Sequence, residues 1–164
     1  MVRALALSTA ALVGACAAAP TADPAEPARL VTVVDGDTVE VALGGRTERV
    51  RLLGIDTPET VDPDRPVGCF GPEASARTAE LLPDGTEVQL QRDVEGRDHF
   101  GRLLAYVFRA DDDTFVNEVL LAEGYAEVLV IEPNGAYADR LRAAESSARS
   151  SGAGLWGSCP DAGR

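Results

Sequence analysis

The sequence contains no lysine, a single histidine, and few aromatic residues, which make up 5% of the chain. With only His99 available, a metal site or proton relay built from several imidazoles is excluded. All 15 basic residues are arginines. The chain has 27 acidic residues, so its formal net charge is −12. The overall field therefore opposes binding of phosphate-rich polymers, and attraction for such a partner has to come from a local group of residues.

Long hydrophobic runs are also missing, and the first apolar stretch, residues 4–13, is too short to span a bilayer. It follows Arg3 and precedes small residues, a pattern typical of a bacterial export signal over residues 1–15. The letters LVGAC resemble a lipobox, which predicts that Cys16 becomes a lipidated N-terminus on the outer face of a membrane. An ordinary signal peptide cut after the following alanines, with secretion, is the alternative. Residues 16–28, rich in Pro and Ala, predict an extended tether.

Cysteine is scarce, with three residues in the chain. If Cys16 carries lipid, Cys69 and Cys159 remain as one pair in an oxidising compartment. A disulfide between them is predicted, and two unpaired thiols are the alternative.

Between residues 29 and 159 the pattern predicts one domain, followed by a short tail at 160–164. Short runs rich in β-branched residues, separated by Gly and Asp, predict strands. Helix signals include Pro72 and Glu73 in a first turn and apolar positions at helical spacing. Five strands and three helices indicate an α+β, mainly β, fold: a five-stranded OB-fold (oligonucleotide-binding) barrel with three packed helices. The predicted strands are 30–34, 38–43, 46–55, 86–94 and 101–110, and the helices lie within 71–85, 113–128 and 136–152.

Two short motifs, DGDT from Asp35 and DTPET from Asp56, each predict a tight turn when taken alone. Both stand at ends of neighbouring strands in the predicted meander, so Asp37 and Asp56 can converge. Two carboxylates and a nearby carbonyl form the hard-oxygen environment that suits calcium (Ca²⁺).

Arg51 lies on the strand that leads into Asp56, and Arg102 opens a later strand. A guanidinium is a planar fork suited to phosphate oxygens, so two of them beside a divalent cation form a phosphoryl clamp. Glu59 is then a carboxylate placed to orient or deprotonate water. Together these residues predict a hydrolytic phosphodiester site.

The segments DGDTV, RLLGIDTPET, GPEA and FGRLLAYV occur in this order and resemble the staphylococcal (thermo)nuclease family over residues 30–156. The resemblance implies the barrel and helices described above. It also implies an enzyme that cleaves DNA and RNA in the presence of Ca²⁺ and leaves 3′-phosphates.

By the same resemblance, Asp37 and Asp56 would bind Ca²⁺ through their carboxylates and Thr57 through its backbone carbonyl. Asp35 would lie within reach of the water molecules on the metal. Three further residues would be catalytic. Glu59 would be the general base, and Arg51 and Arg102 would bind the scissile phosphate through their guanidiniums.

The sequence departs from the family pattern at substrate-binding positions. Where the family prototype has tyrosines around the nucleotide, this chain has Phe100, Leu129 and Ile131, and the loop at 61–70 is not basic. We therefore expect intact chemistry with weaker, more salt-dependent binding by a monomer. The alternative is a catalytically weak or inactive OB-fold module that binds nucleic acid or protein at the cell surface.

Overall fold

A computed structural model of the chain describes residues 25–61, 63–64, 66–160 and 162. In chain order its elements are β1 (Glu26–Asp35), β2 (Thr38–Leu43), β3 (Arg46–Leu52), β4 (Gly54–Asp56), α1 (Gly71–Leu81), β5 (Glu87–Gln91), β6 (Leu103–Arg109), α2 (Val116–Ala122), β7 (Glu127–Leu129), α3 (Ala138–Ser151) and α4 (Leu155–Ser158). Five strands close into a barrel in the order β1-β2-β3-β6-β5, and β4 pairs with β7 in a small separate sheet. This confirms the predicted five-stranded barrel.

Strands β1, β2 and β3 form the predicted antiparallel meander. The β2–β3 turn uses Gly44 and Gly45, both at positive φ, which glycine adopts without steric cost. Val39, Val41 and Val50 point into the barrel and are completely buried. Because side chains alternate along a strand, the polar neighbours of these valines face outward, toward the cleft described below.

The barrel closes through a parallel pairing of β3 with β6, in which Val50 lies opposite Leu103 and Leu52 opposite Ala105. β5 then pairs antiparallel with both β6 and β1. Strand β6 is buried on both of its faces in its central part, as its continuous apolar sequence predicts. The closure places residues that precede β6 beside residues of β3 that are distant in the sequence.

Helix α1 begins with Pro72 in its first turn and Glu73 beside it, as predicted. Helix α2 packs against β6 and α3. The buried side chain of Asn117 on α2 accepts a hydrogen bond from the Val107 amide (3.0 Å) and donates one to the Leu53 carbonyl (2.8 Å). This residue satisfies two buried backbone groups and ties α2 to β6 and to the turn before β4.

Several elements differ from the predicted boundaries. β1 begins at Glu26, inside the predicted tether of 16–28, because residues 26–29 pair with β5. The predicted strand 46–55 is interrupted before Gly54, which has φ +78°, and continues as β4. Strand β7 and the one-turn helix α4 have no counterpart in the predicted elements, since both are too short to show a periodicity.

Residues 1–24 lie outside the described residues, and with them the predicted export signal and the predicted lipidation site, Cys16. Among the helices of the described part, none combines the length and the apolar character needed to cross a membrane.

Candidate active site

The turn between β1 and β2 and the segment after β4 face each other across a cleft of about 380 Å³. All seven residues to which the sequence assigned a metal-binding or catalytic role line this cleft: Asp35, Asp37, Arg51, Asp56, Thr57, Glu59 and Arg102. The fold therefore brings together residues that come from β1, the β1–β2 turn, β3, β4, the loop after β4 and the segment before β6.

Arg51 connects the two candidate metal-binding carboxylates. Its Nη2 lies 2.7 Å from Asp56 Oδ1 and 3.2 Å from Asp37 Oδ2. Its Nη1 donates hydrogen bonds to the carbonyls of Leu52 (2.8 Å) and Ile55 (2.7 Å). With 14% of the side chain exposed and both ends of the fork engaged, the guanidinium is held in one orientation.

Asp37 is 6% exposed, and both oxygens of its carboxylate accept hydrogen bonds. Oδ2 accepts from the amide (2.9 Å) and the hydroxyl (3.2 Å) of Thr57, and Oδ1 accepts from the Thr38 hydroxyl (3.0 Å). These bonds fasten the β1–β2 turn to the segment after β4. As a result, Asp37, Asp56 and Thr57 stand in a fixed relation to one another.

The donor set fits a hard divalent cation. Asp37 and Asp56 approach the same nitrogen of Arg51, so their carboxylates converge on one point of the cleft. Across the described ranges, no group of three or more His, Cys, Asp or Glu side chains is placed to hold a metal ion. Two carboxylates would therefore be completed by a backbone carbonyl, such as that of Thr57, and by water, which is ordinary coordination for Ca²⁺.

Asp35 and Glu59 order the wall of the cleft that follows β4. Asp35 Oδ1 accepts hydrogen bonds from the Gly36 amide (2.7 Å) and the hydroxyls of Thr60 (2.8 Å) and Ser75 (3.2 Å). Glu59 Oε1 accepts from the amides of Thr60 (2.9 Å) and Val61 (2.8 Å). The Glu59 carboxylate is thus fixed by the backbone of its own loop at the edge of the cleft.

Arg102 is positioned by Asp98 at the start of β6. Its Nε donates to Asp98 Oδ2 (2.7 Å), and Asp98 Oδ1 accepts from the amides of Phe100 (3.0 Å) and Arg102 (2.9 Å). Burial opposes ionisation of Asp98, but the hydrogen bonds and charge of Arg102 outweigh that effect and hold the pKa of Asp98 below its usual value. The ionised carboxylate therefore stabilises the turn that carries Arg102.

The Asp98–Arg102 pair predicts that the effect of Asp98→Asn on the free energy of unfolding depends on pH. A carboxyl group whose native pKa is lowered contributes stability above its unfolded pKa and loses it as the pH falls through the native pKa. We expect the free energy of unfolding of the variant to be lower than that of the wild type at pH 7. The difference should shrink below about pH 4, which urea titrations across this range would measure. A difference that stays constant with pH would contradict the prediction.

A second cavity, of about 440 Å³, adjoins the clamp formed by Arg51 and Arg102. Leu129 and Ile131, at two of the positions where the family resemblance implies tyrosine, line its wall. The third, Phe100, presents a ring that is 72% exposed, with the Arg102 guanidinium 5.4 Å from its centroid. The side chains of Phe100, Leu129 and Ile131 lack the hydroxyl of a tyrosine. They therefore provide contact area but no hydrogen bond to phosphate.

Cys69 and Cys159 form a disulfide with an S–S distance of 2.05 Å. Both cysteines line a small cavity together with Asp56, Thr57 and Pro58, so the bridge lies directly behind the candidate metal-binding segment. It joins the loop that carries Glu59 to the C-terminal part of the chain.

Arg49 also lines the cleft, although the sequence assigned it no role. It precedes Arg51 by two positions on β3, and residues i and i+2 of a strand share one face. The alternation in Arg-Val-Arg, with a buried valine between two arginines, is the signal that could have identified it.

Comparisons with known proteins agree with this geometry. A family model described as "Staphylococcal nuclease homologue" matches residues 49–158. The chain is 44% identical over 125 residues to "Endonuclease YncB" of Bacillus subtilis (strain 168), which covers 75% of this chain and 58% of that protein. It is 45% identical over 125 residues to "SPbeta prophage-derived endonuclease YokF" of the same organism, covering 75% of this chain and 41% of that protein.

A third relative, "Thermonuclease" of Staphylococcus hyicus, is 37% identical over 128 residues, which covers 78% of this chain and 74% of that protein. The chain thus spans less than two thirds of the two Bacillus relatives and about three quarters of the staphylococcal one. The family model covers more than half of the chain and includes six cleft residues: Arg49, Arg51, Asp56, Thr57, Glu59 and Arg102. The chain belongs to the staphylococcal nuclease family.

Proposed function

We propose that this protein is an exported, Ca²⁺-dependent phosphodiesterase that cleaves DNA and RNA and leaves 3′-phosphates. The observation that carries the proposal is the convergence of two carboxylates, two guanidiniums and Glu59 on one cleft. The names of the relatives, endonuclease and thermonuclease, support the same class of reaction.

The two arginines would bind the scissile phosphate. Within the described residues, the side chain of Arg102 makes its hydrogen bond through Nε, to Asp98, which leaves its two terminal nitrogens to phosphate oxygens. Arg51 is held at Nη1 by two carbonyls, and its Nη2, which pairs with Asp56 and Asp37, lies in the cleft where a phosphate oxygen would bind. Both groups would stabilise the charge that develops on the phosphoryl oxygens in the transition state.

Glu59 would act as the general base. Its carboxylate takes a proton from the attacking water, the water oxygen forms a bond to phosphorus, and the bond from phosphorus to the 5′-oxygen breaks. The 5′-oxygen takes a proton from solvent water as it leaves, and the phosphate remains on the 3′-oxygen. Bound Ca²⁺, held by Asp37, Asp56 and the Thr57 carbonyl, would neutralise phosphate charge and polarise water in the same cleft.

Calcium dependence gives the first test of this function. We expect the wild type to digest single-stranded DNA and RNA with Ca²⁺ and not with a chelator. Asp37→Asn removes one anionic ligand, so the Ca²⁺ concentration for half-maximal activity should rise about tenfold. Ca²⁺ should also raise the melting temperature of the wild type more than that of the variant, because a ligand stabilises only the state that binds it.

Asp84→Asn is the matched control, since this exposed carboxylate lies in the turn before β5 and away from the cleft. Cleavage that proceeds without a divalent cation, or that ignores Asp37→Asn, would overturn the proposal. End-group analysis of the products would establish which side of the phosphodiester is cut.

The protein would act outside the cytoplasm as a monomer, either anchored to a membrane through lipid on Cys16 or secreted. The disulfide supports an oxidising compartment. Mass spectrometry of the mature N-terminus would distinguish an acylated cysteine from a simple cut.

A second candidate function is binding without cleavage. The net charge of −12 and the apolar side chains of Leu129 and Ile131 favour it over catalysis, because neither helps to hold a scissile phosphate in the cleft for reaction. Retention of nucleic acid without cleavage at millimolar Ca²⁺ would support this alternative.

A further inference from the structure

Arg49 lies beside the phosphate clamp on the outer face of the barrel. Val50, which follows it, is completely buried, so Arg49 and Arg51 project from the opposite face of β3. In the parallel register of β3 and β6, Arg51 lies opposite Leu104. Arg49 and Arg102 each precede these partners by two residues, and both line the candidate active-site cleft.

Arg49 and Arg102 line a further open cavity, of about 500 Å³, with Phe100 and Gly101. It is distinct from the apolar cavity that Leu129 and Ile131 line. Its walls offer two guanidiniums, an exposed aromatic ring and a glycine that leaves the approach open. A positive charge beside an exposed ring is the combination that proteins use for single-stranded nucleic acid, with phosphate on the cation and base on the ring.

Glu40 holds Arg49 in place. The two residues are direct partners across β2 and β3, and Arg49 Nη2 lies 2.9 Å from Glu40 Oε1. The Arg49 side chain is 53% exposed, so the ion pair is open to solvent and a phosphate oxygen can compete for it. Residues i and i+2 of a strand stand about 6.6 Å apart, which is on the scale of neighbouring phosphates of an extended strand.

We propose that Arg49 and Phe100 form a nucleotide subsite that continues the scissile-phosphate clamp. Arg49 binds the phosphate next to the scissile one, and the Phe100 ring stacks on the adjoining base. The inference rests on the proposed function, and it assigns to Arg49 a role that the family resemblance does not. Three guanidiniums along one cleft would supply phosphate contacts that the net charge of −12 does not, and each of them lies beside a carboxylate partner.

The subsite predicts that activity depends on substrate length. We expect kcat/KM of the wild type to rise about tenfold when a dinucleotide is extended by one nucleotide on one side of the scissile bond. Arg49→Ala should lose most of this gain through KM. Arg46→Ala, which removes the same charge from the same strand at the remote β2–β3 hairpin, should retain it.

Binding measured without turnover separates the subsite from the chemistry. Fluorescence anisotropy of a labelled single-stranded oligonucleotide, in chelator, should show weaker binding for Arg49→Ala and for Phe100→Ala. Arg49→Ala should lower the slope of log Kd against log salt by about 0.7, the value for one phosphate contact on a single strand. Glu40→Gln, which releases the Arg49 guanidinium, should tighten binding.

The possible failures are distinguishable. If the wild type cleaves nothing but Arg49→Ala lowers the salt slope, the proposed function fails and the subsite stands. If the wild type cleaves and Arg49→Ala keeps both its length dependence and its salt slope, the subsite is wrong while the function stands.

Discussion

Glu59→Gln is expected to lower kcat on single-stranded DNA by about 10³-fold, within the range that general-base catalysis contributes. The substitution keeps the shape of the side chain, and the amide oxygen of glutamine can still accept the hydrogen bonds that Glu59 Oε1 takes from the Thr60 and Val61 amides. The loop should therefore keep its conformation while the proton acceptor is lost. Single-turnover kinetics at saturating Ca²⁺ would measure the effect.

The matched control is Glu73→Gln, which removes one exposed carboxylate from the first turn of α1. It should leave kcat unchanged. KM and melting temperature of Glu59→Gln should stay close to the wild-type values, because the lost group acts on water and not on substrate binding. If Glu59→Gln retained kcat within tenfold of the wild type, Glu59 would not be the base.

Replacement of Cys69 and Cys159 by serine is expected to lower the free energy of unfolding by about 4 kcal/mol. The disulfide joins residues separated by 90 positions, and a closed loop of that length restricts the unfolded chain strongly. Cys69 is exposed and Cys159 half-buried, so serine fits at both positions with little local cost. Since domains of this size are stable by about 5–15 kcal/mol, the loss would be a large fraction of the total.

Urea titration of the wild type, with and without reductant, and of the double variant would test this expectation. The reduced wild type should match the double variant, and reductant should not change the double variant further. Coincident midpoints for the oxidised wild type and the double variant would show that the bridge contributes no stability.

The candidate site was accessible to sequence reasoning where its geometry is local. Asp37 and Asp56 each follow a predicted strand, and neighbouring strand ends of a meander meet, so their convergence could be anticipated. Glu59 follows Asp56 within one turn. Arg102 is different, because its approach to Arg51 depends on the parallel pairing of β3 with β6. No local sequence pattern predicts that pairing.

Other features escaped prediction for physical reasons. Strand β7 is three residues long, and it becomes a strand only because Gly54–Asp56 lies beside it. The start of β1 at Glu26 depends on pairing with β5, which is distant in the sequence. The position of Arg49 followed from simple alternation, but its significance required the cavity that it shares with Phe100 and Arg102.

The parallel closure of the barrel determines when the candidate site becomes complete during folding. Arg51 belongs to β3 and Arg102 precedes β6, and the two strands are neighbours only in the closed barrel. A chain that has formed the β1–β2–β3 meander alone possesses Asp37, Arg49 and Arg51 but lacks Arg102 beside them. Non-local pairings of this kind form slowly. The complete clamp is therefore absent from every chain in which β3 and β6 are still apart, and the proposed cleavage of nucleic acid would require the closed barrel.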